Sequence, residues 1–454
     1  MTNNFVRVPP DSTGKRLATR EHTIDALAVQ AQLQHIVSGS NAANALEVDA
    51  RGAASVRFTE GQPIMTGYGS LKTSAERALG VYESSLDTYD DLFSIDTANG
   101  GTSTYDSVAS LTVLATTTTS GSRVCRTTNR YHYYLPGTSN IIKQSIICGD
   151  TGKTNNKRRW GAFDDSDGLF FELNDTSLRL VIRTSTLGTP GQEFYIERSN
   201  WSDDKLDGTG ISGITLDLTK ANNYWADYQW NGAGRVRFGI YEPSGARLVV
   251  HTIMAANTNG VPLVRSGTLP LRTENINTGA TSSSSELREI CMSVFTEGTF
   301  EDYTFWRHAD VEVYDVATTT NTHLISMRAI DTINSKHNSV QAYPEMLSVH
   351  VTGGSIALFL WQDTSITGGT WVAGQGVLES NSSGTLDTSL AKKFQVFFLG
   401  AGSHNLDLTQ YFELNDEGIL KPTSGPATIW SFAATKIEGT TVSTCINLGY
   451  RELW

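Results

Sequence analysis

Beyond about residue 95, apolar and polar residues alternate along most of the chain, in short runs that turn-forming residues separate. The clearest pair of runs, 236–241 and 248–251, flanks Pro243-Ser244-Gly245, and a second pair flanks Asn174 and Asp175. Alternation with a period of two is typical of strands with one buried face, and two such runs around a short turn predict a hairpin. We therefore predict a mainly β fold whose strands form sandwich or jelly-roll-like sheets.

The strand pattern also predicts how the chain divides into domains. A Gly/Thr/Ser run over 278–285 interrupts the pattern, and a further series of strand-like segments begins near residue 300. The sequence contains no strict repeat of the kind that indicates a propeller or a solenoid. We predict two β-sandwich or jelly-roll-like domains, 96–300 and 301–454, preceded by an extended N-terminal arm and linker over 1–95.

The arm has a lower apolar content than the rest of the chain and a turn-prone start at 9–16. Two stretches, 46–49 and 54–58, alternate as strands do. Residues 23–37 could form one helix capped by Thr23, with a strand as the alternative for part of it, and 70–82 could form a second, shorter helix. Because such a segment has too little apolar surface to fold alone, we expect it to lie on another surface, such as a neighbouring copy.

Composition and charge narrow the classes of protein that the chain can belong to. Hydrophobic residues make up 39% and charged residues 18% of the chain, which supports packed cores and argues against disorder. The formal net charge of −12 disfavours a nucleic-acid coat, so we expect no direct nucleic-acid partner. No apolar run approaches the ~18 residues of a membrane span, and the start does not resemble a signal peptide, so no membrane partner is expected.

The residues that most often carry chemistry are scattered along the chain. Cys125, Cys148, Cys291 and Cys445 are far apart, which predicts buried thiols made in a reducing cytoplasm and not a zinc site or a disulfide framework. The nine histidines form no His-Glu-x-x-His pattern, and the sequence has no Gly-x-Ser-x-Gly elbow. We therefore expect no enzymatic activity and no cofactor.

Two charged loops resemble ligand-binding motifs without completing them. Gly149–Thr154 lacks the first glycine of a phosphate-binding loop, because Ile147 occupies that position. The basic run Lys153–Arg159 is predicted to be a solvated loop, with contact to an acidic neighbour as the alternative. Asp164–Gly168 lacks two ligands of a helix-loop-helix calcium site, so an exposed turn is expected, with a looser calcium site through its three aspartates as the alternative.

A third acidic loop and the tryptophans bear on glycan chemistry. Asp203, Asp204 and Asp207 follow Trp201, but glycan hydrolysis requires two carboxylates that face each other across a groove. An acidic surface loop is therefore the expected interpretation. Most of the nine tryptophans are predicted to anchor the core or a subunit interface, with sugar binding through exposed tryptophans as the alternative.

Several stretches of the chain resemble structural proteins of tailed bacteriophage virions. They are 47–61, 67–71, 123–137, 168–172, 230–239 with His251, 289–298 and 448–452. The resemblance implies a virion component that is present in several copies, is made in the host bacterial cytoplasm and has no catalytic motif. It leaves the place in the virion open among capsid decoration, head fibre, collar or tail sheath, and baseplate.

We accordingly expect a non-enzymatic virion component that self-assembles as a homo-oligomer and docks on neighbouring head or tail proteins through its arm and β domains. A receptor- or glycan-binding tail protein is the alternative. The residues expected to make the assembly contacts are Phe5, Pro9, Pro10, Lys15, Arg16, Lys157, Arg158, Arg159, Trp230 and Trp454.

Overall fold

The fold consists of antiparallel strands, and the chain divides into two compact units, 1–60 and 61–454. The structure is a computed structural model. It describes residues 3–7, 16–24, 27–32, 76–188, 191–297, 304–316, 321–374, 376–412, 418–421 and 426–453. Within these ranges, no helix is both long enough and apolar enough to cross a membrane.

The first unit contains a small antiparallel sheet. Its strands are β1 (Asn3–Arg7), β2 (Arg16–Ile24) and β3 (Leu27–Gln32), in the order β1-β2-β3. The helix predicted over 23–37 is therefore wrong in its described part, where the strand alternative holds. Leu27, Val29 and Ala31 alternate with a period of two, and pairing with β2 satisfies the backbone groups that a helix would pair locally. The predicted strands at 46–49 and 54–58 lie outside the described residues.

Residues 76–297, which we call the body, form two larger sheets. The strands are β4 (Glu76–Glu83), β5 (Phe93–Ala98), β6 (Thr102–Asp106), β7 (Leu111–Thr116), β8 (Arg123–Thr128), β9 (Asn140–Ile147), β10 (Asn156–Phe163), β11 (Gly168–Asn174), β12 (Ser177–Thr184), β13 (Gln192–Glu197), β14 (Asn222–Tyr228), β15 (Arg235–Tyr241), β16 (Arg247–Met254), β17 (Leu271–Asn277) and β18 (Ser285–Glu297). Single 3-10 turns span Asp90–Leu92 and Arg198–Asn200. The helix predicted over 70–82 is wrong from Glu76 onward, because β4 pairs along β18 from Glu76 to Glu83.

The two sheets of the body pack face to face as a sandwich. One has the order β13-β12-β11-β10-β17-β8-β5, and the other has the order β16-β15-β14-β9-β18-β7-β6, with β4 also pairing with β18. Aromatic side chains from both sheets meet between them. The rings of Trp160 and Tyr224 lie 4.9 Å apart, and those of Phe171 and Phe238 lie 5.3 Å apart. Burial of such large rings supplies much of the core energy, at about 1.5–3 kcal/mol for each phenylalanine-sized side chain.

Both hairpins predicted from the sequence are confirmed. Strands β11 and β12 pair around Asn174 and Asp175, and Asp175 adopts the left-handed backbone region that aspartate tolerates in turns. Strands β15 and β16 pair from Arg235↔Met254 to Tyr241↔Arg247 around the turn at Gly245, whose φ of 86° favours glycine. Local turn chemistry therefore determines these two connections.

The last part of the chain forms a sheet around two very long strands. Its elements are β19 (Thr304–Asp315), β20 (Thr322–Ala329), β21 (Thr332–Ile333), β22 (Lys336–His337), β23 (Gln341–Gln362), β24 (Ser365–Thr367), β25 (Val372–Ala373), β26 (Leu378–Asn381), β27 (Thr385–Asp387), β28 (Lys392–Leu399), β29 (Gly402–Asp407), helix α1 (Thr409–Phe412) and β30 (Trp430–Leu453). Strands β23 and β30 pair from Gln341↔Leu453 to Gln362↔Trp430. We call the sheet that they organise, in the order β25-β26-β20-β30-β23-β28, the C-terminal sheet.

The predicted mainly β fold is confirmed. The body and the C-terminal sheet have separate hydrophobic cores, although both lie in the compact unit 61–454. They contact each other through Gln341, whose Nε2 donates to the carbonyl of Tyr131 at 2.9 Å, and through the Tyr131 and His337 rings, which stack at 5.3 Å. The predicted domain boundaries at 95 and 300 stay predictions.

Candidate functional site

A cleft of about 440 Å³ lies between the body and the C-terminal sheet. On the body side its wall consists of β4, the 3-10 turn Asp90–Leu92 and the residues that follow β8. On the other side the wall consists of the last residue of β23, the first residue of β30 and the start of β28. The polar side chains in its wall are Asp90, Asp91, Asn129, Arg130, Gln362, Asp363, Lys392 and Thr428. Ligand sites are commonly clefts of this size at the boundary between two packed parts of a protein.

Asn129 holds the body side of the cleft in place. Its Nδ2 donates to the carbonyl of Asp91 at 2.9 Å, and its backbone N–H donates to the carbonyl of Leu92 at 2.9 Å. Its Oδ1 accepts from the hydroxyl of Ser94 at 2.7 Å. These bonds fix the 3-10 turn against the end of β8. The backbone that carries Asp91 and Leu92 is therefore held in one position beside the cleft.

The opposite wall is positioned by the pairing of the two long strands. Gln362 ends β23 and is paired with Trp430 on one side and Lys392 on the other. Asp363 follows with a φ of 59°, the left-handed region that few residues other than glycine adopt. Lys392 Nζ lies 2.8 Å from Asp91 Oδ1, so an ion pair connects the two walls.

Some polar groups in the cleft wall have no partner among the described residues. Among the described residues, the carboxylate of Asp363 makes no hydrogen bond or ion pair. Burial raises the pKa of this carboxyl group, and nearby Asp91 raises it further, whereas Lys392 lowers it. Trp430 is buried, and its Nε1–H has no acceptor in the described part of the chain. A hydroxyl-bearing ligand can donate to the Asp363 carboxylate, whereas the Trp430 Nε1–H is enclosed in the core of the C-terminal sheet and does not face the ligand.

Apolar surface lies beside these polar groups. Val81 on β4 and Leu92 in the 3-10 turn both line the cleft, and both side chains are exposed. The cleft therefore combines carboxylates, amides and cations with a small apolar patch. Because a sugar ring has hydroxyls at its edge and C–H groups on its faces, it can use both kinds of surface at once.

A second concave surface lies on the outer face of the seven-stranded sheet. We call it the arginine groove; it measures about 390 Å³, and the side chains lining it include Arg123, Arg159, Asp165, Arg183, Glu193, Arg272 and Glu274. Below it, Phe163, Phe170 and Val181 are fully buried in a cluster separate from the main core. The guanidinium groups of three arginines lie 5.2–5.4 Å from the centres of the two rings. Stacking on the aromatic floor fixes these cations in place.

Ion pairs connect the side chains of the arginine groove. Arg159 lies 2.6 Å from Glu172, 3.2 Å from Glu193 and 3.4 Å from Glu274. Burial alone would raise the pKa of Glu274, but the surrounding arginines, Arg272 first among them, lower it to about 2. The electrostatic potential at this carboxylate is therefore strongly positive.

From Asn156 onward the basic run Lys153–Arg159 belongs to strand β10, so the predicted solvated loop is wrong for Asn156–Arg159. Arg158 is fully buried, and its guanidinium donates to Cys148, Asn156, Asp150 and Ser285. Arg159 emerges on the other face of the sheet, in the arginine groove. Lys157 is half-buried between them. Carboxylates that are distant in sequence make burial of these cations favourable, so Arg158 lies inside the molecule and not at a docking surface.

The other predicted assembly residues are dispersed. Trp230 is half-buried against the body core, and its Nε1–H donates to the carbonyl of Val264 at 2.8 Å. Phe5 lies in β1 and Arg16 in β2, where Arg16 is in register with Arg7. The remaining predicted contacts, Pro9, Pro10, Lys15 and Trp454, lie outside the described residues. Assembly through these residues stays a prediction.

The acidic loop that resembles a calcium site is not the exposed turn that the sequence predicted. Asp164 and Asp167 are buried, and the carboxylate of Asp164 accepts from the backbone N–H groups of Ser166 and Asp167. Asp167 accepts from Ser185 and from the backbone of Arg265. Within the described ranges, no cluster of histidine, cysteine and acidic residues could hold a metal ion.

The acidic loop after Trp201 is also occupied by internal contacts. Asp204 is buried and accepts from the backbone N–H groups of Leu206 and Ser212. Asp207 accepts from Thr209, and Asp203 accepts from Ser202 and Thr252. These bonds use the carboxylates to stabilise turns, which agrees with the expected acidic loop.

Sequence reasoning missed the residues that form both concave surfaces. Asp91, Asp363 and Lys392 come from three separate parts of the chain, and only the fold brings them together. Arg272 and Glu274 alternate on β17 in a charged pattern that a solvent-facing strand would also have. The one local signal is Asp363, because an aspartate directly after a long apolar run is typical of a turn.

Neither a family model nor a curated protein matches the chain. A legume lectin-like domain from Entamoeba histolytica matches with 10% identity over 48% of this chain and 96% of its own, at a TM-score of 0.30. The Emp47p carbohydrate recognition domain matches with 12% identity over 51% of this chain and 100% of its own, at a TM-score of 0.31. The exoplasmic domain of VIP36, solved with Ca²⁺ and Man3GlcNAc, matches with 12% identity over 50% and 92%, at 0.30. Likeness at these TM-scores carries no argument about function.

Proposed function

We propose that this chain is a non-enzymatic glycan-binding protein and that the cleft between the body and the C-terminal sheet binds one sugar residue. The observation that carries the proposal is the carboxylate of Asp363, which lies in the cleft wall and has no partner among the described residues. A sugar hydroxyl donates to this carboxylate. The exposed side chains of Val81 and Leu92 provide an apolar surface for the C–H face of the ring.

The ion pair between Lys392 and Asp91 contributes specificity in this proposal. Its two charged groups offer further donors and acceptors at the rim, where a hydroxyl can bridge them without disrupting the pair. Hydrogen bonds to charged groups each contribute about 1.5–3 kcal/mol, which is enough for two or three of them to select one sugar stereochemistry.

The test is a panel of immobilised glycans, probed with the wild-type protein and with two variants. Asp363→Asn removes the acceptor charge, and Lys392→Gln removes the cationic donor at the rim. We expect wild-type binding to at least one sugar and a loss of about 10-fold or more in each variant. Asp207→Asn, in an exposed turn of the body, is the matched control and should bind as the wild type does.

Two results would overturn the proposal. One is binding by Asp363→Asn and Lys392→Gln at wild-type strength, which would exclude the cleft. The other is release of reducing sugar from a bound glycan, which would contradict a non-enzymatic role. Thermal melting of each variant separates loss of binding from loss of the fold.

The second candidate function is the virion component that the sequence resemblance implies. It is supported by two exposed aromatic side chains on β19, Phe305 at 54% and Trp306 at 61%, since exposed aromatic pairs are typical of protein interfaces. The separate compact unit 1–60 is a further region through which neighbouring head or tail proteins, or other copies, could be contacted. Both functions can coexist in a tail protein that binds a receptor.

Its test is incorporation into particles. Deletion of residues 1–60 should leave the body and its glycan binding intact and should reduce the copy number per particle, measured by mass spectrometry of purified particles. A deletion variant that is incorporated at the wild-type level would exclude an assembly role for this unit.

A further inference from the structure

We propose that the cleft between the body and the C-terminal sheet prefers a sugar that carries a free amino group, and that the protonated amine pairs with the carboxylate of Asp363. The preference rests on the proposed glycan binding and adds to it the class of sugar. Three features of the cleft lead to it: the charges of its wall, the surroundings of Asp363 and the neutral surface beside that residue.

Carboxylates outnumber cations in the described part of the cleft wall. Its charged side chains are Asp90, Asp91, Asp363, Arg130 and Lys392. Both cations have oxygen partners, since Lys392 Nζ lies 2.8 Å from Asp91 Oδ1 and Arg130 Nη1 donates to the carbonyl of Leu79 at 2.9 Å. An added cation therefore improves the charge balance of the cleft, whereas an added anion worsens it.

Asp363 is accessible from the cleft, but its charge is poorly compensated. Its side chain is exposed, and among the described residues no cation lies within ion-pair distance of its carboxylate. The cleft wall nevertheless removes part of the water around this group, which raises its pKa; Lys392 lowers the pKa and Asp91 raises it. A hydroxyl gives such a carboxylate one hydrogen bond, whereas a protonated amine gives it a hydrogen bond and the opposite charge.

A second carboxylate acts on the same amine. The charge of Asp91 affects the pKa of Asp363, so the two side chains are close enough to interact electrostatically. An ammonium group bound at Asp363 is therefore attracted by both carboxylates, whereas an uncharged hydroxyl gains only from the one that it contacts. The Nζ of Lys392 is itself a primary ammonium group, and its contact with Asp91 shows that the cleft accommodates a pair of this kind.

The rest of a sugar matches the neutral surface of the cleft. The exposed side chains of Val81 and Leu92 can contact the C–H face of a ring. The side chains of Gln362 and Thr428 line the same cleft and carry donors and acceptors that ring hydroxyls can use. A lysine side chain of a protein partner can reach Asp363, but it has no hydroxyls for these groups. An amino sugar uses all three kinds of surface.

Calorimetric titration of the full chain at about pH 6.5 tests this preference, because an amine is protonated there. The probes are glucosamine, N-acetylglucosamine and glucose, the corresponding galactose series, and Nα-acetyl-lysine. We expect one amino sugar to bind at least about 5-fold more tightly than its N-acetylated and neutral counterparts, which keep the ring but lack the charge.

The outcomes separate failure of the preference from failure of the glycan site. Equal affinity for the amino, N-acetylated and neutral sugars would overturn the preference and leave the glycan site standing. No binding of any sugar would overturn both. Binding of Nα-acetyl-lysine as tight as that of the amino sugar would assign the cleft to a protein partner and would also overturn the preference.

Two variants test whether the preference arises at Asp363. Asp363→Asn removes the charge with little change of shape and should reduce the ratio of amino-sugar to neutral-sugar affinity to below about 2-fold. Lys392→Gln removes the resident cation and should increase this ratio, although it weakens binding of the neutral sugar. Asp207→Asn makes the same charge change in an exposed turn of the body and should keep the wild-type ratio. An unchanged ratio in Asp363→Asn, or a lower ratio in Lys392→Gln, would contradict the pairing; thermal melting confirms that each variant is folded.

The pH dependence of the ratio gives a readout that a purely structural effect of the substitutions would not produce. The amine pairs with the ionised form of Asp363, whose pKa lies above its usual 3.8. The preference should therefore be complete near pH 6.5 and decline as pH falls toward about 4, where this carboxylate takes up a proton. It should also be lost above about pH 9, since amino groups of this kind lose their proton near pH 8. A ratio that stays constant from about pH 4 to about pH 9 would overturn the proposal.

Discussion

A buried ion pair joins the two sheets of the body, and its disruption should cost more than any surface change. Arg126 on β8 belongs to the seven-stranded sheet, and Glu289 on β18 belongs to the eight-stranded sheet. Both side chains are 1% exposed and form a direct ion pair. Glu289 also accepts from the hydroxyl of Thr273, and Arg126 donates to the carbonyl of Thr88.

The size of the expected loss of stability follows from the burial of this ion pair. Glu289→Gln removes the carboxylate charge but leaves the guanidinium of Arg126 enclosed between the sheets, above the ring of Phe93. Removal of one partner of a buried pair costs about 3–5 kcal/mol, because the other charge stays desolvated and unpaired. Replacement of both residues by methionine should recover most of this loss, since neither charge then remains in the core.

Urea denaturation followed by tryptophan fluorescence measures this change in the free energy of unfolding. Glu286→Gln is the matched control, because it lies three residues earlier on the same strand and its side chain is 46% exposed in a surface pair with Arg288. That control should change stability by less than about 0.5 kcal/mol. A loss of stability below about 1 kcal/mol for Glu289→Gln would refute the view that this ion pair is shielded from water and stabilises the fold.

Three further predictions concern turns, acid stability and the core. Gly152→Ala should lower the free energy of unfolding, measured by urea denaturation, more than Gly149→Ala does. Both glycines have positive φ, but only at Gly152 would a Cβ lie 1.8 Å from the carbonyl oxygen of Asp175. Equal losses of stability in the two variants would contradict this. Burial lowers the pKa of His132 from its ordinary 6.5 to about 3. The unfolded chain therefore binds the proton first, so the stability from neutral His132 is complete above pH 6.5 and is lost as pH falls toward 3; His132→Gln should flatten the stability profile in this range. Trp160→Ala should destabilise the body by about 3–5 kcal/mol in the same assay. A loss of stability within experimental error would contradict the assignment of Trp160 to the core of the body.

The hairpins were predictable because the residues that determine their turns are adjacent in the sequence. Pro243-Ser244-Gly245 and Asn174-Asp175 specify turns by the backbone conformations that these residues favour, whatever else the chain does. The helices predicted over 23–37 and 70–82 were wrong in their described parts for the opposite reason. A short, weakly apolar segment such as β4 has no strong period of its own, and pairing with β18, more than 200 residues later, determines its conformation.

Charged residues were the other source of error. Alone, Arg158 and Arg159 indicate a solvated loop, because arginine is seldom buried without a partner. Some of their partners, Asp150 and Glu172, are near in sequence, but others, Ser285 and Glu274, lie more than 100 residues away, and only the fold shows which groups pair. The same holds for the cleft, whose Asp91 and Lys392 meet across 300 residues of chain. The alternation of apolar and polar residues predicted the fold class, but the sites depend on contacts that only the folded chain creates.

The most direct test of the central claim is calorimetric titration of the best sugar from the glycan panel into the wild-type protein and into Asp363→Asn, with thermal melting to confirm that both are folded. Our account predicts one saturable site in the wild type and affinity at least about 10-fold weaker in the variant. Equal affinity in the two proteins would contradict it, because the sugar would then bind without the carboxylate of Asp363.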